Sequence, residues 1–251
     1  MEQAGLRGFY HHEAPSWQLY DPLLRAGVHS LPYPMAVPPW ETGSPLRLFL
    51  HWAYAHVGMR LTHAATLGIA GAGALIVGAS GSGKSGTTMA GLLNGLQSAG
   101  DDYVLLEQGE DLTAHAVFRV FKQDSEGLRR VGIDPTAIGS TAVNWHGKHE
   151  FDAETLQPGG FVKRLSIRCI LVPEVARLNR TYIEPLSAAN AALALAPSAV
   201  LQLQGDTREG FRFFAQLSRR LRAFKVRLSE DPREIADAIG NHLFRETSSA
   251  D

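Results

Sequence analysis

Eight residues, Gly78-Ala79-Ser80-Gly81-Ser82-Gly83-Lys84-Ser85, follow the apolar run Ala74-Leu75-Ile76-Val77 and fit the pattern G-x-x-x-x-G-K-[ST] in full. Types and spacing together suit one chemistry. Glycines let backbone N–H groups turn inward around phosphate oxygens, Lys84 can reach the β- and γ-phosphates, and Ser85 can hold Mg²⁺. The helix expected next points its positive N-terminal end at the same anion. At average residue usage the pattern arises by chance in about one chain of this length in a hundred, and here a strand-like run also precedes it. The stretch predicts a nucleoside triphosphate site at Gly78, Ala79, Ser80, Gly81, Ser82, Gly83, Lys84, Ser85 and Gly86, with ATP and Mg²⁺ as the cofactors.

What happens to the phosphate depends on a second group. Asp101 and Asp102 stand 17 and 18 residues after Lys84. Met89, Leu92, Leu93 and Leu96 share helical spacing, yet Asn94-Gly95 is a helix C-terminal stop. If the helix ends there, residues 96–100 return as a short strand, and both aspartates reach its tip beside the phosphates. If it continues to Ala99, they lie about 20 Å away. The first arrangement makes a catalytic carboxylate pair. The second makes a turn or helix cap, the commoner use of adjacent aspartates.

These residues resemble the HPr kinase/phosphorylase group, whose catalytic domain is similar to ATP-dependent phosphoenolpyruvate carboxykinase. The resemblance runs from Thr62-His63 through residues 71–85 to Gly100-Asp101-Asp102-Tyr103-Val104, with His63 placed 21 residues before Lys84. It implies an α/β fold, a P-loop kinase domain with a mixed sheet flanked by helices. It also implies that His63 lies near the phosphoacceptor and that Asp101 is the base for a serine hydroxyl. Asp102 would then help Ser85 place the metal. The implied catalytic set is Asp101, Lys84 and His63, and the implied metal ligands are Ser85 and Asp102.

A further likeness, over residues 48–54, 85–88, 147–152, 194–198 and 228–232, is to the HPr-kinase-like proteins of lasso-peptide gene clusters. Members of that group phosphorylate the C-terminal serine of a precursor peptide, so the implied partner is a peptide or protein bearing a serine. Gly86 departs from the Glu that HPr kinases carry there, and residues 129–134 only faintly echo their Arg-Gly-rich signature. HPr kinases assemble as hexamers, which implies a homo-oligomer. Two other readings stay open: the same fold acting on a carrier protein or a small alcohol, and a regulatory module that binds nucleotide without turnover.

The elements that must position this chemistry are partly readable. At 251 residues, 45% hydrophobic and 20% charged, the chain has material for one α/β domain with a core. Residues 1–45, with six prolines between Pro15 and Pro39 and a seventh at Pro45 among scattered aromatics, read as a Pro-rich arm packed on its own domain. Residues 46–251 read as the catalytic domain. Ser44-Pro45 suggests an N-cap, and Leu46, Phe49, Leu50, Ala53 and Val57 then form a core-facing stripe. Strands are expected at 65–69, 73–78, 96–100, 103–107, 115–121 and 165–172.

Helices are expected at 185–196, after Asp206 or Thr207, and from Asp231-Pro232-Arg233-Glu234. In the second of these, Phe211, Phe214, Leu217 and Leu221 share a face, and the arginines opposite read as solvated surface. Cys169, the one cysteine, reads as a buried strand thiol. His146 and His149 are three apart beside Glu150, but Gly147 opposes the helix a zinc pair needs and no third ligand cluster follows. A loop touching nucleotide or substrate is the better reading there. Lys122 reads as a surface lysine, with phosphate contact as its alternative. A net charge of −1 without a basic stripe argues against nucleic acid. No secretory pattern opens the chain and no apolar run approaches 18 residues, so a cytoplasmic protein off the membrane is expected.

Overall fold

The chain begins with three short strands, β1 (Arg7–His11), β2 (Ser16–Asp21) and β3 (Ala26–Ser30), followed by helix α1 (Arg47–Ala55). Strands β4 (Met59–Thr62), β5 (Ala65–Ile69) and β6 (Ala72–Ile76) lead into the glycine-rich loop and helix α2 (Lys84–Leu93). Next come β7 (Val104–Gln108), β8 (Leu112–Ala116), β9 (Val120–Gln123), α3 (Ser125–Arg130), β10 (His149–Asp152) and α4 (Ala153–Leu156). The C-terminal part holds β11 (Arg164–Leu178), β12 (Tyr182–Leu186), α5 (Ala188–Val200), α6 (Thr207–Arg220), β13 (Arg222–Ser229) and α7 (Pro232–Ser248). This computed structural model describes residues 5–200, 203 and 207–248.

Eight strands make one mixed sheet, in the order β12-β13-β11-β8-β7-β4, with β6 also on β11 and β5 beyond β6. The 15-residue β11 joins its halves. It starts antiparallel to β8, continues parallel to β6, and ends parallel to β13. Ala74, Ile76, Cys169 and Leu171 pack toward α2 and α7, whereas Leu75, Val77 and Ile170 pack toward α5 and α6. That is the two-residue period of a strand with both faces covered, and it explains why residues 74–77 are apolar without a break. Cys169 is buried in this layer, and burial pushes its thiol pKa up to about 12. The mixed sheet flanked by helices agrees with the expected α/β class. Among the described residues, no helix is long and apolar enough to cross a membrane.

Several local expectations give way. Residues 7–30 form a three-stranded antiparallel sheet rather than an irregular arm, and the six prolines all fall outside its strands, where missing amide donors cost nothing. Helix α1 starts at Arg47 after a left-handed Leu46, and the buried Glu41 carboxylate, not Ser44, accepts the Leu46 N–H. Residues 96–100 make only two isolated bridges, at Gln97 and Ser98. Side-chain hydroxyls have captured the amides a strand needs: Ala99 N–H donates to Thr66 Oγ1 and Gly100 N–H to Ser98 Oγ. The expected strand at 115–121 is split between β8 and β9. Residues 182–186 are strand, because they pair with β13, and α5 then runs through Pro197 instead of stopping before it. Phe211 is half exposed and stands off the face that buries Phe214 and Leu217. The Asp206 cap lies outside the described residues.

Candidate active site

The glycine-rich loop leaves the end of β6 and passes directly into α2, whose first residue is Lys84. Gly83 caps that helix at φ 104°, and a side chain there would meet Leu228 and Val175 at 2.8 and 3.2 Å. Only glycine suits both the backbone and the space. Lys84 is buried, and its ammonium donates to the carbonyls of Gly78 (2.8 Å) and Ala79 (3.1 Å). Burial pulls its pKa down, while Asp101 and Asp102 oppose that shift. The loop therefore closes around its own cation.

Helix α2 ends at Leu93, with Gly95 at φ 87°, so the chain turns back as the stop signal implied. Asp101 and Asp102 consequently line the same cavity as Lys84, Ser85 and His63, a space of about 480 Å³. Their environments differ sharply. Asp101 is 3% exposed, lies near Ser85 and the Lys122 backbone, and leaves Oδ1 without a hydrogen-bond partner. Burial, then the neighbouring Asp102 charge, raise its pKa to about 6. Asp102 has both oxygens engaged: Oδ1 with His63 Nε2 at 3.1 Å and Oδ2 with Lys122 Nζ at 3.0 Å. Burial would raise its pKa too, but the His63 and Lys122 contacts outweigh it and hold the carboxyl well below the usual range.

Asp101 therefore sits on the Ser85 side of the cavity, and Asp102 lies between His63 and Lys122. Lys122 corrects an expectation. Its side chain is 17% exposed and lies between Asp102 and Glu150. Antiparallel pairing of β9 with β10 sets Lys122 opposite Glu150, and Asn144 and Thr42 fix the glutamate from the other side. His149 does not line the cavity: Ser140 and Ser125 hydroxyls occupy its two ring nitrogens, and His146 stacks on Trp145. Lys148, beside it in sequence, does line the cavity. Among the described residues, no group of three or more His, Cys, Asp or Glu is placed to hold a metal.

The buried Asp101 carboxylate has a stability cost that can be measured. A folded-state pKa of about 6, against an ordinary 3.8, favours the protonated form. That stabilisation is complete below pH 4 and is lost as pH rises through 6. Asp101→Asn, which does not ionise, should therefore exceed the wild type in stability by about 3 kcal/mol at pH 8, and the gap should close near pH 4. Urea unfolding of the nucleotide-free protein at both pH values measures it. A pH-independent difference would show that Asp101 is not a buried titrating group.

No family model matches the chain, and no curated protein matches it. Among solved structures, the HPr(Ser) kinase/phosphatase from Coxiella burnetii is similar over 76% of this chain and 97% of its own length, at 16% identity and a TM-score of 0.36.

Proposed function

We propose that this chain transfers the terminal phosphoryl group of ATP to a serine hydroxyl at the end of a peptide. The observation that carries the reading is one cavity lined by Ser80, Gly81, Gly83, Lys84 and Ser85 of the phosphate loop and by two carboxylates of opposite character. A site that only binds nucleotide needs no second carboxylate held between a histidine and a lysine. The stretches shared with kinases of lasso-peptide clusters support the C-terminal serine of a precursor peptide as the acceptor.

In this reading Lys84 gives up the Gly78 and Ala79 carbonyls for the β- and γ-phosphates, and the loop amides hold the remaining oxygens. Ser85 and Asp101 are the residues that would hold Mg²⁺. The buried, unpartnered Asp101 Oδ1 beside the Ser85 hydroxyl fits such a cation, whose charge would also lower the raised Asp101 pKa. When bound, Mg²⁺ neutralises charge on the phosphates.

The acceptor side belongs to His63 and Asp102. A carboxylate accepts hydrogen bonds only, so Asp102 places the His63 hydrogen on Nε2 and leaves Nδ1 free to take a proton. The serine oxygen bonds to the γ-phosphorus, the bond to the β-bridging oxygen breaks with its electron pair on ADP, and the hydroxyl proton passes to His63 Nδ1. Lys122 keeps Asp102 ionised and oriented.

The test is incubation with ATP, Mg²⁺ and a serine-ended peptide, read by mass spectrometry. A gain of phosphate on that serine, absent from the alanine-ended control, is the expected result. Tight ATP binding with no phosphopeptide, over a panel of serine peptides, carrier proteins and small alcohols, would leave a nucleotide-binding module instead.

A further inference from the structure

Helix α1 has two apolar faces, and one is only partly covered. Leu48 and Trp52 pack with Tyr20, Leu61, Tyr103 and Leu105. Of the stripe expected to face the core, Phe49 and Ala53 are partly buried against that cluster, and together with Leu46, Leu50 and Val57 they line a surface groove of about 480 Å³. Leu46 is 49% and Val57 61% exposed. The opposite wall is the end strand of the N-terminal sheet: among the described residues β3 pairs with β2 alone, so its outer row of backbone groups has no described strand beside it. The Phe49 ring comes within 2.5 Å of where a Gly27 side chain would begin, so α1 packs directly on the β3 backbone there, between Arg25 and His29.

An unguarded sheet edge beside an apolar trough fits one kind of occupant, an extended peptide that adds a strand and seats alternate side chains in the groove. Charge narrows the class. Arg25 is the one formally charged residue in the groove lining, the His29 and His56 imidazoles stand beside it as further hydrogen-bonding groups, and no acidic residue lines the groove. Position links it to the acceptor side of the active site. The Arg47 guanidinium, at the start of α1, lies 6.0 Å from the ring of Tyr103, the residue after Asp102. Nine helical residues span about 13 Å, so the whole groove runs within roughly one helix length of that point.

We propose that this groove docks an extended segment of the peptide substrate, with apolar side chains alternating with acidic ones, at a distance from the phosphorylated serine. The identity of the occupant as substrate rests on the kinase reading; the docking does not.

The first arm therefore uses no nucleotide. A fluorescein-labelled octapeptide alternating leucine or valine with aspartate is titrated with the full chain and read by anisotropy. It should bind, and Leu46→Glu, Val57→Glu or lysine in place of the peptide's aspartates should each weaken binding by about tenfold or more. The two protein variants change exposed residues, and unchanged ATP binding confirms their folding. Absence of binding, or binding indifferent to these changes, overturns the proposal. So does a wild-type dimer that the variants dissociate in sedimentation, since the groove then belongs to a second copy.

The second arm joins the octapeptide to an acceptor serine through six Gly/Ser residues, about 13 Å of reach. The tethered peptide should show a KM about tenfold or more below that of the untethered serine peptide in the wild type, and no advantage in Leu46→Glu. Binding without that advantage removes the substrate from the groove. Failure of the kinase reading would look different: both serine peptides stay unphosphorylated while the octapeptide still binds.

Discussion

Replacing Lys84 with methionine is expected to lower phosphoryl transfer by about 10²–10³-fold, the usual loss when one fixed donor is removed from a transition-state charge. Methionine fills similar space, so the burial of the side chain survives. The cation does not. Lys84 sits at the first residue of α2 and is the basic side chain that the loop itself encloses. Without it the Gly78 and Ala79 carbonyls lose a donor, and the γ-phosphoryl loses its nearest fixed positive charge. Calorimetric titration with ATP and Mg²⁺ should show weakened affinity, and circular dichroism should show an unchanged fold. Wild-type affinity together with wild-type turnover would mean the loop is not where the triphosphate binds.

Asp102→Asn is expected to cost about 10²–10⁴ in transfer while leaving ATP affinity nearly intact, which is the range for a misaligned general base. The direction follows from its two partners. Lys122 donates to Oδ2, so the amide oxygen of asparagine faces Lys122 and the amide nitrogen faces His63. His63 must then accept at Nε2, which moves its hydrogen to Nδ1 and blocks the atom that takes the serine proton. His63→Ala should lose about as much alone as in combination with Asp102→Asn, since the two act as one unit. Single-turnover rates on a serine peptide measure this, and additive losses would separate the residues. Transfer by Asp102→Asn at the wild-type rate would remove the pair from the chemistry altogether.

The parts of this site that were legible are those written along the chain. The loop pattern and the Asn94-Gly95 stop are local, and between them they bring Asp101 and Asp102 back to Lys84. The different surroundings of the two aspartates were not legible, because they depend on which side chains close over them from elsewhere. β9 and β10 deliver Lys122 and Glu150 to the site only after strands far apart in sequence have paired. Lys122 offered one usable hint, its place directly after the strand-like run 117–121. The face of α1 was misread for a similar reason. Counting apolar residues favoured Leu46, Leu50 and Val57. The small N-terminal sheet instead turns inward the face bearing Leu48, His51 and Trp52, and no helical period reports on a neighbouring sheet.

The reach of β11 also sets the order in which the working site can come into being during synthesis. The strand that feeds the phosphate loop is flanked by β5 almost at once, but its parallel neighbour joins Ile76 to Leu171, 95 residues later. At about 5–20 residues per second, a ribosome needs roughly 5–20 seconds to make that stretch. β13, which completes the other side of β11, is later still. Through that interval the growing chain carries the nucleotide motif without the strand that braces it, so ligand-assisted folding becomes available only near the end of translation. A chaperone that shields the β5–β6 hairpin would act in this window, and ATP would not.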